Sequence, residues 1–507
     1  MTVTWESILE TADEMFNTTR TENGAIGYST TGSALVDLNF KTSSYRNDKS
    51  TLFSDFRKAF CEDPVLALKW LFFARDIRGG MGERDLFRNI ITNIAHTFPV
   101  LVEALVDIIP EYGRWDDLFC LFDTPVENKV LNVIKNQLQE DVYAAMNNKS
   151  VSLLAKWLPS VKATNDDKRE LARKIRRALG VSEKVYRKTL SKLRKATNVV
   201  EIDMSENKWE DIVYENVPSR ANLNYANAFQ RHDKARYDEF ILKVSNGKAK
   251  MNASTLYPSD IVHKYLTNYS IWHHDCLFFD DKYEALWKNL KDVEDLEDTI
   301  VVCDTSGSMG QRAGNSDVTA EEIARSLAIY FSERLHGDFK DKIIAFSRRP
   351  FLIDLSDRPT LYSKLVEIDQ HCIVDDTNIK AVFDLILQTA IKTKSVDIPK
   401  TILIISDMEF NQGTTNMPLM KEIEEEYNKA GYSLPKLVFW NILSRTNAVP
   451  LKKNDKGVIL ISGFSPSIMD MVLSGETDPY KALVSVLNKP RYDVIEKIIK
   501  ETKLCTK

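Results

Sequence analysis

At 507 residues the chain is too long for one ordinary hydrophobic core, so two or three domains are expected. With 43% hydrophobic and 28% charged residues it has a globular composition, and no apolar run approaches the roughly 18 residues of a membrane span. The net charge of −5 gives no global case for nucleic acid, so any such case must be local.

The first residues, MTVTWESILETADEMF, have neither a basic n-region nor an apolar h-region, which argues against a signal peptide. Residues 1–50 are rich in Thr, Ser, Asn and Gly and read as a loop-rich N-terminal arm. From 51 to 295 the pattern is helical. Asp63-Pro64 is an N-cap with proline at the first helical position, the run VLALKWLFFA follows, and Gly79-Gly80 stops it. Further helices are expected over 83–98, 127–147, 168–179, 182–196, 206–215, 231–245 and 281–291. Short turns between helices of this length suggest stacked hairpins of HEAT-like architecture. Arg75 to Asp85 around Gly79, Gly80 and Gly82 reads as a helix–helix turn clamped by ion pairs. The stretch Tyr112 to Asp117 reads as a packed corner. His273, His274 and Cys276 have metal-ligand side chains, but adjacent residues do not easily converge on one ion.

Near 295 the pattern changes. TIVVCD, KIIAFS, TILIISD, KLVFWNIL and GVILISGF are short apolar runs alternating with helical segments, as in a parallel sheet covered on both faces. An α/β domain is therefore expected over 296–465, with helices over 466–507 packing on the preceding domains. Six scattered cysteines (61, 120, 276, 303, 372 and 505) form no CxxC pair and read as reduced thiols of a cytoplasmic protein.

Functional crevices of open α/β sheets lie at the carboxyl ends of the strands. The first strand ends at Asp304 and continues TSGSMG, so Ser306 and Ser308 follow at spacing two. One carboxylate and two hydroxyls are hard donors, suited to Mg²⁺ or Mn²⁺. Thr377, before the helix NIKAVFDLIL with Asn378 near its N-terminus, and Asp407, at the end of TILIIS, are further oxygen donors at strand-to-helix junctions. Thr319 and Glu322 form a capping box for the helix after the serine loop. The intervening MGQRAGNSDV is expected to form a rim beside the metal.

D-x-S-x-S after the first strand, then Thr, then Asp, resembles the metal-ion-dependent adhesion site of von Willebrand A domains over about 299–445. That resemblance implies that Asp304, Ser306 and Ser308 ligate the metal, with Thr377 and Asp407 acting directly or through water. A helical region followed by such a domain resembles the TROVE family, the Ro autoantigen type, in which helical repeats close into a ring with a von Willebrand A domain and bind structured RNA. The landmarks NGAIGYSTTGSALVDLNF, RGGMGERDLF, EYGRWDDLF and SGFSP resemble a further family of this architecture from viruses, plants and bacteria.

One segment is strongly basic. Residues 168–195 hold twelve Lys/Arg against Glu170 and Glu183. Lys168, Arg169, Arg173, Lys174, Arg176 and Arg177 fall on one expected helix. Lys184, Arg187, Lys188, Lys192, Arg194 and Lys195 fall on the next. A positive ridge of this kind suits phosphates, while a solvated face or an acidic surface of the chain itself is the alternative. The expectation is a monomeric, non-enzymatic protein that binds structured non-coding RNA on this ridge and offers its metal to an acidic or phosphate group of a partner. A metal-dependent adaptor without RNA and a metal-dependent nuclease are the rivals.

Overall fold

A computed structural model describes residues 17–24, 26–197, 199–267, 279–292, 298–314, 316–371, 378–394, 398–410, 417–446, 448–449, 457–473, 476 and 478–502. A helical N-terminal region precedes a C-terminal region built on a mostly parallel sheet. Two compact units result. The first comprises Met1–Trp70 and Ala253–Lys489, the second Leu71–Asn252 and Pro490–Lys507.

The first unit holds the hairpin β1 (Thr18–Arg20) and β2 (Ile26–Tyr28), and a six-stranded sheet. The sheet strands are β3 (Thr299–Asp304), β4 (Lys342–Phe346), β5 (Phe351–Asp354), β6 (Thr401–Ser406), β7 (Lys436–Asn441) and β8 (Val458–Ser462). Their order is β5-β4-β3-β6-β7-β8, all parallel except the antiparallel edge β5. This is the doubly wound order, whose direction reverses between β3 and β6, so that their carboxyl ends flank the crevice. Strand residues are buried on both faces, which explains their unbroken apolar runs. Ile300, Val302, Ile402, Ile404 and Phe439 pack on one side with Val382, Phe383 and Tyr427 from flanking helices. Successive residues such as Val301 and Leu403 point to the other side. There the helix Ala320–Ser332 lies against β3, started by the expected capping box. Thr319 Oγ1 accepts from the Glu322 amide at 3.2 Å, and Glu322 Oε2 accepts from the Thr319 amide at 2.7 Å.

The expected arm over 1–50 is corrected in part. The helix Ala34–Phe40 belongs to the α/β unit, with Leu35, Val36, Leu38 and Phe40 buried and Val36 and Phe40 in the sheet's core cluster. Ser462 Oγ accepts from the Ser43 amide, and Asn441 Nδ2 donates to Phe40 O, so the polar ends of β7 and β8 hold this segment. The helices Pro258–Thr267 and Asp281–Lys288 also group with the sheet, although they precede it in the chain. The C-terminal helices divide as well: Pro479–Leu487 falls in the first unit, Asp493–Thr502 in the second.

The second unit is helical. Its principal helices are Arg84–Thr97, Glu127–Met146, Asp166–Ala178, Glu183–Ala196, Ser219–His232 and Lys234–Ser245. The helix expected over 206–215 is instead two short 3-10 turns, Trp209–Asp211 and Tyr214–Asn216. Asn207 has φ of 57°, and the β-branched pair Ile212-Val213 separates the turns in extended backbone. The landmarks RGGMGERDLF and EYGRWDDLF build one corner. Asp117, fully buried, accepts from Arg75 Nε at 2.8 Å, Arg88 Nε at 2.7 Å and the Arg114 amide at 2.8 Å. Gly80 and Gly113 are required here. A Cβ on Gly80 would lie 2.0 Å from Phe73 O, and one on Gly113 would lie 2.1 Å from Asp117 Oδ2.

Candidate functional site

Asp304 ends β3 and is 1% exposed. Its Oδ1 accepts from the Ser306 amide at 2.9 Å, which folds the loop back over the strand end before the 3-10 turn Gly307–Gly310. Ser306 Oγ and Ser308 Oγ then lie 2.9 Å apart. Because β3 pairs in parallel with β6 (Cys303 opposite Ile405), Ser406 falls beside Asp304, and Ser406 Oγ donates to Asp304 Oδ2 at 2.6 Å. Asp407 follows at the same strand end and is also 1% exposed. The two carboxylates thus stand on either side of the point where the strand order reverses.

Their electrostatics are unfavourable without a cation. Burial raises the pKa of Asp304 above the usual carboxylate range. Burial first, and the neighbouring Asp304 charge second, push Asp407 up to about 7, against opposing hydrogen bonds from Ser308 and the Glu409 amide. Asp407 Oδ2 is buried with no hydrogen-bond partner among the described residues. Among the described residues the cation that faces it is Arg445, whose Nη1 lies 3.5 Å away.

This donor set fits a hard divalent ion. Two ligands about 2.1 Å from an octahedral Mg²⁺ and at right angles lie about 3 Å apart, which the serine pair matches, as would a hydroxyl–hydroxyl hydrogen bond. Two carboxylates would balance the ion's charge, and Asp407 has an unused oxygen to offer. Asp304, Ser306, Ser308 and Asp407 are the residues that would hold Mg²⁺ or Mn²⁺. Among the described residues no three His, Cys, Asp or Glu side chains gather, so the hydroxyls define this centre. Thr377, expected as a fifth donor, lies outside the described residues, as do His273, His274 and Cys276. The neighbouring Asn378 caps its helix, with Oδ1 accepting from the Ala381 amide at 3.1 Å.

The sequence reading missed four residues here: Ser406, Glu409, Arg445 and Glu22. Glu409 is 2% exposed, and its carboxylate accepts from the amides of Glu22, Arg445 and Thr446 at 2.8, 2.7 and 2.8 Å. It ties the N-terminal segment and the loop after β7 to the end of β6. Ser406 sits next to Asp407 in a strand already singled out; nothing local in the sequence marks the other three.

In the helical unit the twelve basic residues separate into two groups. Arg169 pairs with Asp166, and Lys174 with Asp123 at 2.6 Å and Glu127 at 2.7 Å. Arg176 donates to Val181 O. Arg194 donates to Ala155 O and Leu158 O at 2.8 and 2.7 Å, and Lys195 pairs with Glu206 at 2.9 Å. These five hold the fold together. Lys168, Arg173, Arg177, Lys184, Arg187, Lys188 and Lys192 are exposed, and among the described residues nothing pairs with their side chains. Lys184, Lys188 and Lys192 recur every fourth residue and so share one face of the helix Glu183–Ala196. A groove of about 820 Å³ runs along this helix, lined by Lys184, Arg187, Lys188, Arg194 and Lys195 with the hydroxyls of Ser160, Ser191 and Ser205.

The family model for a domain of unknown function, DUF2828, matches residues 21–129 and 126–301, more than half of the sequence. The chain belongs to the DUF2828 family. A second model, for the domain of unknown function DUF7788, matches residues 298–501 and meets the first where β3 begins. This DUF2828 member is 32% identical to a protein of Acanthamoeba polyphaga mimivirus named "Uncharacterized protein L728", over 93% of this chain and 88% of that protein. Within the DUF2828 match lie Glu22 and the whole basic segment. Asp304, Asp407 and Arg445 lie within the DUF7788 match. Among the described residues no helix is long and apolar enough to cross a membrane.

Proposed function

We propose that this chain is a TROVE-like, non-enzymatic RNA-binding protein, monomeric and cytoplasmic. Its helical unit takes structured non-coding RNA on the face around the helix Glu183–Ala196. Its α/β unit, read as a von Willebrand A domain, holds Mg²⁺ or Mn²⁺ through Asp304, Ser306, Ser308 and Asp407. The observation that carries the RNA reading is the set of seven exposed, unpaired Lys and Arg side chains, four of them along a groove-bearing helix. The five cations that hold the fold bond acids or backbone carbonyls; among the described residues these seven do neither, and phosphates are a natural counter-charge for them. Crosslinking the protein to nucleic acid in its native cell and sequencing the bound material tests this. Enrichment of a few structured RNAs, lost when Lys184, Arg187, Lys188 and Lys192 are changed together to Gln, is expected. Recovery of no RNA above a mock control would defeat it.

The second reading is an adaptor whose metal takes a carboxylate from a protein partner, with the ridge incidental. The buried, unshared oxygen of Asp407 favours it. Asp304→Ala separates the two. Partner capture lost with RNA binding unchanged supports the adaptor, whereas loss of neither function leaves the metal with no binding role. Manganese-stimulated loss of the RNA itself, abolished by the same substitution, would instead point to a nuclease.

A further inference from the structure

We infer that Arg445 forms, with the metal, a two-point site for a partner's carboxylate, and that the chain's own Glu22 occupies the Arg445 side of it until that partner arrives. The inference rests on the metal reading above.

Arg445 lies in the loop after β7, and Glu22 in the turn between β1 and β2. Their backbones are fixed independently of their side chains. Glu409 accepts from both amides, Asn23 Nδ2 donates to Glu409 O at 2.6 Å, and Thr21 Oγ1 donates to Phe410 O at 2.7 Å. On this frame the guanidinium bridges two acids. Arg445 Nε donates to Glu22 Oε2 at 2.5 Å, while Nη1 points inward, 3.5 Å from Asp407 Oδ2. Nη1 and Oδ2 are both buried, and neither has a hydrogen-bond partner among the described residues. That distance is too long for a good charge-assisted bond. The buried Oδ2 of Asp407 and the buried Nη1 of Arg445 therefore face each other with hydrogen-bonding capacity that an added ion or acid could use.

Charge then fixes what that group is. A divalent ion would neutralise Asp304 and Asp407, and Glu409 is taken up by the amides of Glu22, Arg445 and Thr446, which leaves the Arg445 guanidinium with Glu22 as its side-chain partner. Glu22 supplies the matching negative charge. Its side chain is 54% exposed, against 19% for Arg445, so it can swing away without disturbing the bonds to Glu409. With Glu22 withdrawn, an incoming carboxylate can place one oxygen on the ion and the other on the planar guanidinium fork. One carboxylate replaces the single negative charge that Glu22 takes away. A phosphate monoester, at about −1.5 to −2, overshoots it. The group already held by Arg445 is itself a carboxylate.

The test uses the full chain. Mn²⁺ binding is followed by water-proton relaxation, and acetate is then titrated against the Mn²⁺-loaded protein, with inorganic phosphate in parallel. Acetate displaces metal-bound water and lowers the enhancement. Glu22→Gln removes the internal competitor, so acetate should bind about two- to fivefold more tightly, as expected for loss of one partly exposed ion pair. Arg445→Gln should abolish the gain in the Glu22→Gln background, and Arg445→Lys should restore it in part. Thermal melting shows which variants are folded, and Glu22→Gln, on an exposed side chain, keeps the test open if Arg445 variants fail. No Mn²⁺ binding by the wild type would overturn the metal reading and this site with it. Normal Mn²⁺ binding with equal acetate affinity in wild type and Glu22→Gln would overturn the two-point site alone. Phosphate binding more tightly than acetate would overturn the assignment to a carboxylate.

Discussion

Asp407 has a carboxyl pushed up to about 7 by burial and by Asp304, so its charged form is disfavoured in the folded, metal-free chain. A raised acid contributes stability while protonated, and that stability is lost as pH rises through about 7. A divalent ion reverses the balance by binding the deprotonated form and releasing the proton. The rise in Tm caused by Mg²⁺ should therefore be larger at about pH 8 than at about pH 6. It should nearly vanish in Asp304→Asn at both. Equal shifts at the two pH values, measured by scanning calorimetry, would show that the ion does not bind these carboxylates. Three of these donors were legible because D-x-S-x-S is local: the turn that folds Ser306 back onto Asp304 spans two residues. Asp407 was legible because it ends an apolar strand. Glu22 and Arg445 were not, because they come together across more than four hundred residues through Glu409, and no short-range pattern records that meeting.

At the scale of elements, the corner that joins RGGMGERDLF to EYGRWDDLF is a buried charge network. Asp117 neutralises Arg75, which is 1% exposed. Asp117→Asn leaves that guanidinium without its counter-charge, which costs about 3–5 kcal/mol. Gly113→Ala should do comparable damage, because its Cβ would enter the space held by Asp117 Oδ2 and Arg75 Nε. Urea denaturation monitored by far-ultraviolet circular dichroism should show early loss of helix in both variants. A midpoint unchanged in Asp117→Asn would mean that Arg75 finds another acid or water. Here ion pairing was readable around Gly79 to Gly82, Asp117 as the partner of Arg75 and Arg88 was not, and helix boundaries followed from caps such as Asp63 and Thr319. The chain's division into units was not readable. Leu35, Val36, Leu38 and Phe40 sit in a polar stretch, and their burial is decided by a sheet whose strands begin at 299. Periodicity cannot show that a helix written early in the chain completes a core written late.

At the scale of the molecule, a net charge of −5 coexists with a basic ridge confined to two helices, so the RNA binding proposed above would be both local and sensitive to salt. Of the twelve cations, seven have no side-chain partner among the described residues and are free to make such contacts. If all seven meet phosphates, log affinity should fall with log salt at a slope of about −5 to −6. Changing Lys184, Arg187, Lys188 and Lys192 together to Gln should make that slope shallower by about 3, with a matching loss of affinity at low salt. Lys174→Gln is the contrast. Its ammonium is already paired with Asp123 and Glu127, so its loss should leave the slope within about one unit of the wild type. Fluorescence anisotropy against a structured RNA at four or five salt concentrations resolves these differences. Equal slopes in the quadruple variant and Lys174→Gln would mean that the ridge is a solvated face, and the case for RNA would then lose its physical basis.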